Sequence, residues 1–128
     1  MRSAAQMLAD AKGQVEEVSP QEASVEAASG PVVFLDVREP VEWEHFIPGA
    51  VQVPRGLLEF AADPVSPRHK PELDPASRVV VYCRSGARGA LAAATLKELG
   101  FEKVANLQGG FAAWKDAGLP TDEHHGDL

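Results

Sequence analysis

The chain has 128 residues, hydrophobic residues at 45%, and a formal net charge of −7 from 12 Lys and Arg against 19 Asp and Glu. That length suits one compact domain that needs no metal or disulfide to fold, and the charge argues against a nucleic-acid binder or a protein held on anionic membrane by its overall charge. The single cysteine, Cys83, excludes an intramolecular disulfide framework and a cysteine-rich zinc site. Met1 to Lys12 has no apolar run of signal-peptide type, and no stretch approaches the roughly 18 apolar residues of a membrane span, so a cytoplasmic setting is expected by default.

Ser3 to Lys12 is Ala-rich and reads as a helical extension within residues 1–14. Val15 to Val18 brackets a short strand. Ser19-Pro20-Gln21-Glu22 has the form of a helix start, with Ser as N-cap, Pro at the first helical position and Glu three residues after the cap. That helix runs to about Ser29 and stops at Gly30-Pro31. Val32 to Leu35 is a continuous apolar run, the pattern of a strand buried on both faces. Glu39 to Trp43 predicts a short helix, Ile47 to Ala50 a turn, and Val51 to Val53 a short strand. Gly56 to Ala62 predicts a helix with Leu57, Leu58 and Phe60 as its apolar content. Asp63 to Asp74, with Pro64, Pro67 and Pro71, predicts a surface loop. Arg78 to Tyr82 is the strongest strand, and Ala87 to Leu99 has helical spacing at Ala92, Leu96 and Leu99. Val104-Ala105 is a last short strand and Gly110 to Ala117 a last helix. Residues 121–128 read as a polar, mobile tail. Alternating strands and helices predict an α/β domain over residues 15–120, with about five mainly parallel strands and helices on both faces.

In an open α/β sheet, sites form beyond the carboxyl ends of the strands. The exits here are Asp36-Val37-Arg38, Pro54-Arg55 and Cys83-Arg84-Ser85-Gly86-Ala87-Arg88-Gly89. In the last, a thiol ends a buried strand where the chain turns into a helix. The helix start and two guanidinium groups favour the anionic form of the sulfur. Gly86 and Gly89 let backbone N–H groups converge on one centre, a cradle for an oxyanion or an anionic sulfur species. The competing reading makes Cys83 a small buried hydrophobe. The arginines and glycines in register favour the reactive one.

Cys83-Arg84-Ser85-Gly86-Ala87-Arg88 closely resembles the active-site loop of the rhodaneses, the thiosulfate sulfurtransferase family. Phe34 to Glu39 followed by Ile47-Pro48-Gly49-Ala50 resembles the family's amino-terminal signature. Leu107-Gln108-Gly109-Gly110, with Trp114 and Gly118-Leu119-Pro120, resembles the carboxyl-terminal one. The resemblance implies a single-domain member with the three-layer rhodanese fold. It implies that Cys83 takes the outer sulfur of thiosulfate, expelling sulfite, or that of a persulfide donor, and holds a persulfide until cyanide or a thiol takes the sulfur. Arg84 and Arg88 are then expected to hold the anionic donor and Ser85 to hydrogen-bond the sulfur. The N–H groups of the loop, which includes Gly86, Ala87 and Gly89, are expected to stabilise the persulfide.

The implied chemistry needs no metal and no organic cofactor. The implied partners are a small anionic sulfur donor and a thiol or cyanide acceptor. The same persulfide also suits a carrier that delivers sulfur to a partner protein. A non-catalytic interaction domain is the third reading, disfavoured by the intact Cys83, Arg84 and Arg88. Cysteine phosphatases use a similar loop one residue longer. Four residues between Cys83 and Arg88, with Tyr82 where those enzymes usually carry His, suit a sulfur centre better than a phosphate ester. Where the rhodaneses often have Gly-His before Ile-Pro-Gly-Ala, this chain has His45-Phe46, a position that reads as structural.

Other residues have plainer readings. Asp36 is expected to cap the following loop, and Arg38 and Glu39 to make surface or supporting pairs, in preference to direct substrate contact. Arg55 leaves a strand end and is a lesser candidate for added charge at the site. His69 is expected to be solvated, His124 and His125 to belong to the tail, and Trp43 and Trp114 to pack in or beside the core.

Overall fold

The computed structural model describes residues 1–124. In chain order the elements are α1 (Ala4–Gln14), β1 (Glu16–Val18), α2 (Pro20–Ser29), β2 (Val33–Asp36), β3 (His45–Phe46), β4 (Val51–Gln52), α3 (Leu58–Ala62), β5 (Val79–Tyr82), α4 (Ala87–Glu98), β6 (Val104–Leu107), α5 (Gly110–Asp116) and β7 (Asp122–Glu123). Short 3-10 turns at Pro40–Glu42 and Arg55–Leu57 stand where the sequence predicts a short helix and the start of a longer one.

Five strands form a parallel sheet in the order β1-β6-β5-β2-β4. β5 is central, and its period of two divides its side chains between two cores. Val79, Val81 and Cys83 face a core with Leu58, Ala92, Leu96 and Phe101, covered by α3 and α4. Val80 and Tyr82 face the other core, with Phe34, Ala105, Phe111 and Trp114, covered by α2 and α5. The expected α/β architecture with helices on both faces is what the chain forms.

Capping follows the sequence. Ser19 accepts from the Glu22 amide at 3.1 Å while the Glu22 carboxylate accepts from the Ser19 amide at 2.8 Å. Such a cap is worth about 1 kcal/mol. Ser3 and Gln6 make the same box at the start of α1. α1 reaches Gln14, two residues past the expected Lys12. It packs on α4, where Ala11 is buried and the Lys97 ammonium donates to the Gln14 carbonyl at 2.6 Å. Below the sheet's amino ends, Arg78 pairs with both Glu16 and Glu26, joining β1 and α2 to the start of β5.

Several expectations need correction. β4 stops at Gln52: the Val53 amide still donates to the Asp36 carbonyl, but Pro54 has no N–H to continue the ladder. In the 56–62 segment, Leu57 and Phe60 are exposed, and the buried face is Leu58, Ala61 and Ala62 at helical spacing. β6 extends through Asn106 to Leu107 because the register of β1 pairs both residues. The described part of the tail is also tied down, at 122–124. β7 pairs antiparallel with β3, His45 opposite Glu123 and Phe46 opposite Asp122, and the His124 amide donates to the Glu44 carbonyl at 2.8 Å. His125 and the residues after it lie outside the described residues.

Candidate active site

Cys83 follows β5 directly and is 1% exposed. Two amides of the first turn of α5 hold the peptides around it. Phe111 donates to the Cys83 carbonyl at 2.8 Å and Ala112 to the Arg84 carbonyl at 3.0 Å. This approach needs Gly110, where a Cβ would stand 2.6 Å from the Cys83 and Arg84 carbonyl oxygens, on a backbone with φ +62°. Gly110, the second of the paired glycines in the 107–110 segment, thus has a mechanical cause.

The chain enters α4 through Gly86, whose φ of +113° excludes most side chains. Its amide donates to the Cys83 Sγ at 3.1 Å. The sulfur therefore faces an N–H group at the positive end of a 12-residue helix. The Gly86 carbonyl accepts from the Ala90 amide at 3.0 Å and from the Asn106 side-chain amide at 3.1 Å. Asn106 is fully buried, and its Oδ1 has no hydrogen-bond donor among the described residues. A Cβ at Gly89 would come within 2.3 Å of that oxygen. So Gly86 supplies a backbone conformation and Gly89 supplies room. Sequence reasoning passes over Asn106. Its one signal is a carboxamide inside a strand whose neighbours are apolar.

The other loop residues separate. Arg84 and Ser85 are exposed, and Ala87 is half-buried. The bond that reaches the sulfur comes from the Gly86 amide, one of the N–H groups expected to converge there, and among the described residues Ser85 makes no hydrogen bond to it. Arg88 turns its two terminal nitrogens to Glu42, at 2.6 and 2.9 Å from the two carboxylate oxygens. Glu42 also accepts from the Glu39 amide at 2.9 Å. The Arg88 hydrogen bonds hold the Glu42 carboxyl down at about 2, and the Arg88 guanidinium, with the Glu42 carboxylate on it and Cys83 nearby, is held above its ordinary range. Glu42 is absent from the sequence-based site because 46 residues separate it from Arg88.

Asp36 caps the following loop as expected, its Oδ1 accepting from the Arg38 amide at 3.0 Å, and the pair that Arg38 makes is the supporting kind, buried, and not a surface one. Asp36 and Arg38 are 0% and 4% exposed. Arg38 donates from Nε and a terminal nitrogen to the two Asp36 oxygens at 3.0 and 2.8 Å, and to the His45 carbonyl at 2.7 Å. Its guanidinium carbon stands 4.5 Å from the Phe111 ring centroid and 5.5 Å from that of Tyr82. Burial, with the Asp36 carboxylate beside it, pushes the Tyr82 phenol well above its ordinary range, and the neutral hydroxyl accepts from the Ile47 amide at 3.1 Å. The 34–39 segment is thereby bonded to the His45 carbonyl just ahead of the 47–50 segment, Tyr82 holds Ile47 within that segment, and the Arg38 guanidinium lies over Phe111 at the start of α5.

Arg55 is not brought to the loop, since Glu59 and Thr95 take up its guanidinium. His69 is half-buried and bonds the Leu73 carbonyl at 3.1 Å, where the sequence suggests solvent. Trp43 is half-buried and Trp114 buried. Beside the loop runs a cleft of about 400 Å³, with Arg84, Glu42, Val41 and Phe111 among its walls. Among the described residues no three His, Cys, Asp or Glu side chains cluster as metal ligands would, and no helix is long and apolar enough to cross a membrane.

The sequence profile of the rhodanese-like domain matches residues 19–117. A sulfurtransferase of Allochromatium vinosum is 40% identical over 90 residues, covering 70% of this chain and 77% of its own length. Of several other curated relatives the chain spans only 20% to 46%. Among solved structures, a protein of unknown function from Rhodopseudomonas palustris, described as a possible tyrosine phosphatase, superposes with a TM-score of 0.88 at 38% identity. The overlap covers 95% of this chain and 96% of that one. Thiosulfate sulfurtransferase from Pseudomonas aeruginosa superposes with a TM-score of 0.73 at 26% identity, over 95% of this chain and 23% of that one.

Proposed function

The chain belongs to the rhodanese-like domain family, and on that premise we propose that it is a sulfurtransferase that carries sulfane sulfur on Cys83. The observation that carries this reading is the Cys83 sulfur at the amino end of α4, with the Gly86 amide 3.1 Å away. In the first step the Cys83 thiolate attacks the outer sulfur of thiosulfate. The electron pair of the breaking S–S bond leaves with sulfite, and a persulfide remains on Cys83. In the second, cyanide or a thiolate attacks the outer persulfide sulfur and the Cys83 thiolate departs. No net oxidation occurs, and the sequence of steps is two displacements through a covalent intermediate.

The loop residues other than Ser85 have roles in this reading. The Gly86 amide, with Ala87 and Gly89 continuing the helix start, offsets the negative charge on the sulfur. Arg84, exposed at the loop's rim, draws the anionic donor in. Arg88 adds positive potential close to Cys83 while paired with Glu42. A tyrosine-phosphatase reading, as described for the Rhodopseudomonas neighbour, fits less well. The loop holds four residues between Cys83 and Arg88, and the two terminal nitrogens a phosphate would need are engaged by a carboxylate.

Intact-mass measurement tests the proposal. Thiosulfate should add the mass of one sulfur atom to the chain, cyanide should remove it, and Cys83→Ser should prevent both. Turnover of p-nitrophenyl phosphate should remain at background. Sulfur on the wild-type protein that cyanide does not remove, but that passes to a partner protein, would identify a relay. Sulfur transfer by Cys83→Ser at the wild-type rate, or Cys83-dependent phosphate release, would overturn the proposal.

A further inference from the structure

Asn106 stands on β6 in register with Val81, two residues before Cys83. The period of two turns it to the same side as Val104, into a core whose neighbouring strand positions are Val79 and Val81. A carboxamide is unfavourable there, because its buried Oδ1 gives up water and meets no donor among the described residues. Packing alone would be served better by an apolar side chain. The group has one bond to show for its burial, from Nδ2 to the Gly86 carbonyl at 3.1 Å.

That carbonyl belongs to the peptide that carries the Ala87 N–H. In a trans peptide the two groups point opposite ways, so fixing one fixes the other. Ala90 and Asn106 hold the carbonyl together. The ψ of −20° at Gly86 places the Gly86 and Ala87 nitrogens on the same side of the bond between them. The Gly86 N–H reaches Sγ at 3.1 Å, and the Ala87 N–H, at the open end of α4, has no acceptor among the described residues. Gly89 provides the room, since a Cβ there would stand 2.3 Å from the Asn106 Oδ1 and force the carboxamide to move.

We propose that Asn106 is a positioning residue: through the Gly86 carbonyl it holds the Gly86–Ala87 peptide so that the Ala87 N–H, beside that of Gly86, faces the charge on the Cys83 sulfur, and Gly89 is the space that lets it do so. The inference rests on the reading of Cys83 as the sulfur carrier and adds no step to the transfer described above.

Two variants disturb the carboxamide by different routes. Asn106→Ala removes it and leaves the Gly86 carbonyl its Ala90 partner. Gly89→Ala keeps it and pushes it aside. The second-order rate constant for loading by thiosulfate, followed by rapid quench and intact mass, should fall about tenfold or more in each, as for a reacting group misplaced by a fraction of ~1 Å. The two losses should not multiply in the double variant, because the methyl group at 89 meets no oxygen once the carboxamide is gone. In proton–nitrogen spectra of the wild type, loading should move the Gly86 and Ala87 amide protons downfield together, and in each single variant the Ala87 shift should be smaller. A residue that served only the fold would lower the melting temperature and leave that shift as it is. Where Asn106→Ala fails its thermal melt, Gly89→Ala decides by its loading rate and its Ala87 shift. Loading within about twofold of the wild type in a folded variant, losses that multiply, or an unchanged Ala87 shift would each overturn the inference while leaving the Cys83 chemistry standing. A wild type that takes up no sulfur would overturn the sulfurtransferase reading and this inference with it.

Discussion

Arg38 reaches back two residues to Asp36 and closes a forked ion pair on a carboxylate that has no exposed surface. The pair stands at the carboxyl end of β2, next to the central strand. The guanidinium is also stacked on Phe111 and bonded to the His45 carbonyl. One side chain thus links the end of β2 to β3 and α5, and it lines the cleft beside the Cys83 loop. A buried pair of this kind contributes little net stability compared with apolar packing, but removing one partner strands the other charge.

Arg38→Ala should therefore cost about 3–5 kcal/mol in urea denaturation, because Asp36 would be left buried and unpaired. The double variant Asp36→Asn with Arg38→Met should recover part of that loss, since it removes both charges. A single-variant cost below about 1 kcal/mol would show that water reaches Asp36.

Gly110→Ala should destabilise by about 1–3 kcal/mol and slow the loading of Cys83 with sulfur, because the new methyl group meets two backbone carbonyls at 2.6 Å. Gly100→Ala is the control. Gly100 also has a positive φ, +97°, but nothing stands within 4 Å of its Cβ position. Its cost should be the backbone strain alone, about 1 kcal/mol, with loading unchanged. Equal effects of the two substitutions on loading would separate the α5 contact from the geometry of the Cys83 loop.

The Arg88–Glu42 pair predicts a pH dependence. The Glu42 carboxyl is held at about 2 against an ordinary 4.5. Its folded value lies below the unfolded one, so the stabilisation is complete above pH 4.5 and fades as the pH falls toward 2. For a pair this open to solvent the effect is about 1 kcal/mol or less. The melting temperature of the wild type relative to Glu42→Gln should show an advantage at pH 6 that shrinks between pH 4.5 and 2.5. A constant difference across that range would mean that the pair does not titrate as a unit.

The order of strands and helices was legible in the sequence because local signals carry it. The Ser19 to Glu22 box, the Val79 to Tyr82 run and the glycine stops act within a few residues, and the structure keeps each of them. The Cys83 loop was legible for the same reason, since its thiol, arginines and glycines are contiguous. The exposure of Leu57 and Phe60 was not, because composition marks a helix as apolar without saying which of its faces meets the core. Nor was the tie of 122–124 to β3, which depends on two polar segments meeting across more than seventy residues.

Contiguous residues were enough to single out Cys83 as the candidate nucleophile and to place the turns around it. What surrounds that thiol depends on how the chain packs. Parallel strands bring together segments far apart in the chain, so the partners of Arg88, Gly86 and Cys83 are Glu42, Asn106 and Gly110. None of the three is identifiable by its spacing from the loop. Hydrogen bonds and close contacts form between neighbours in space, and in this fold the neighbours of one strand end are supplied by other strands and the loops that follow them.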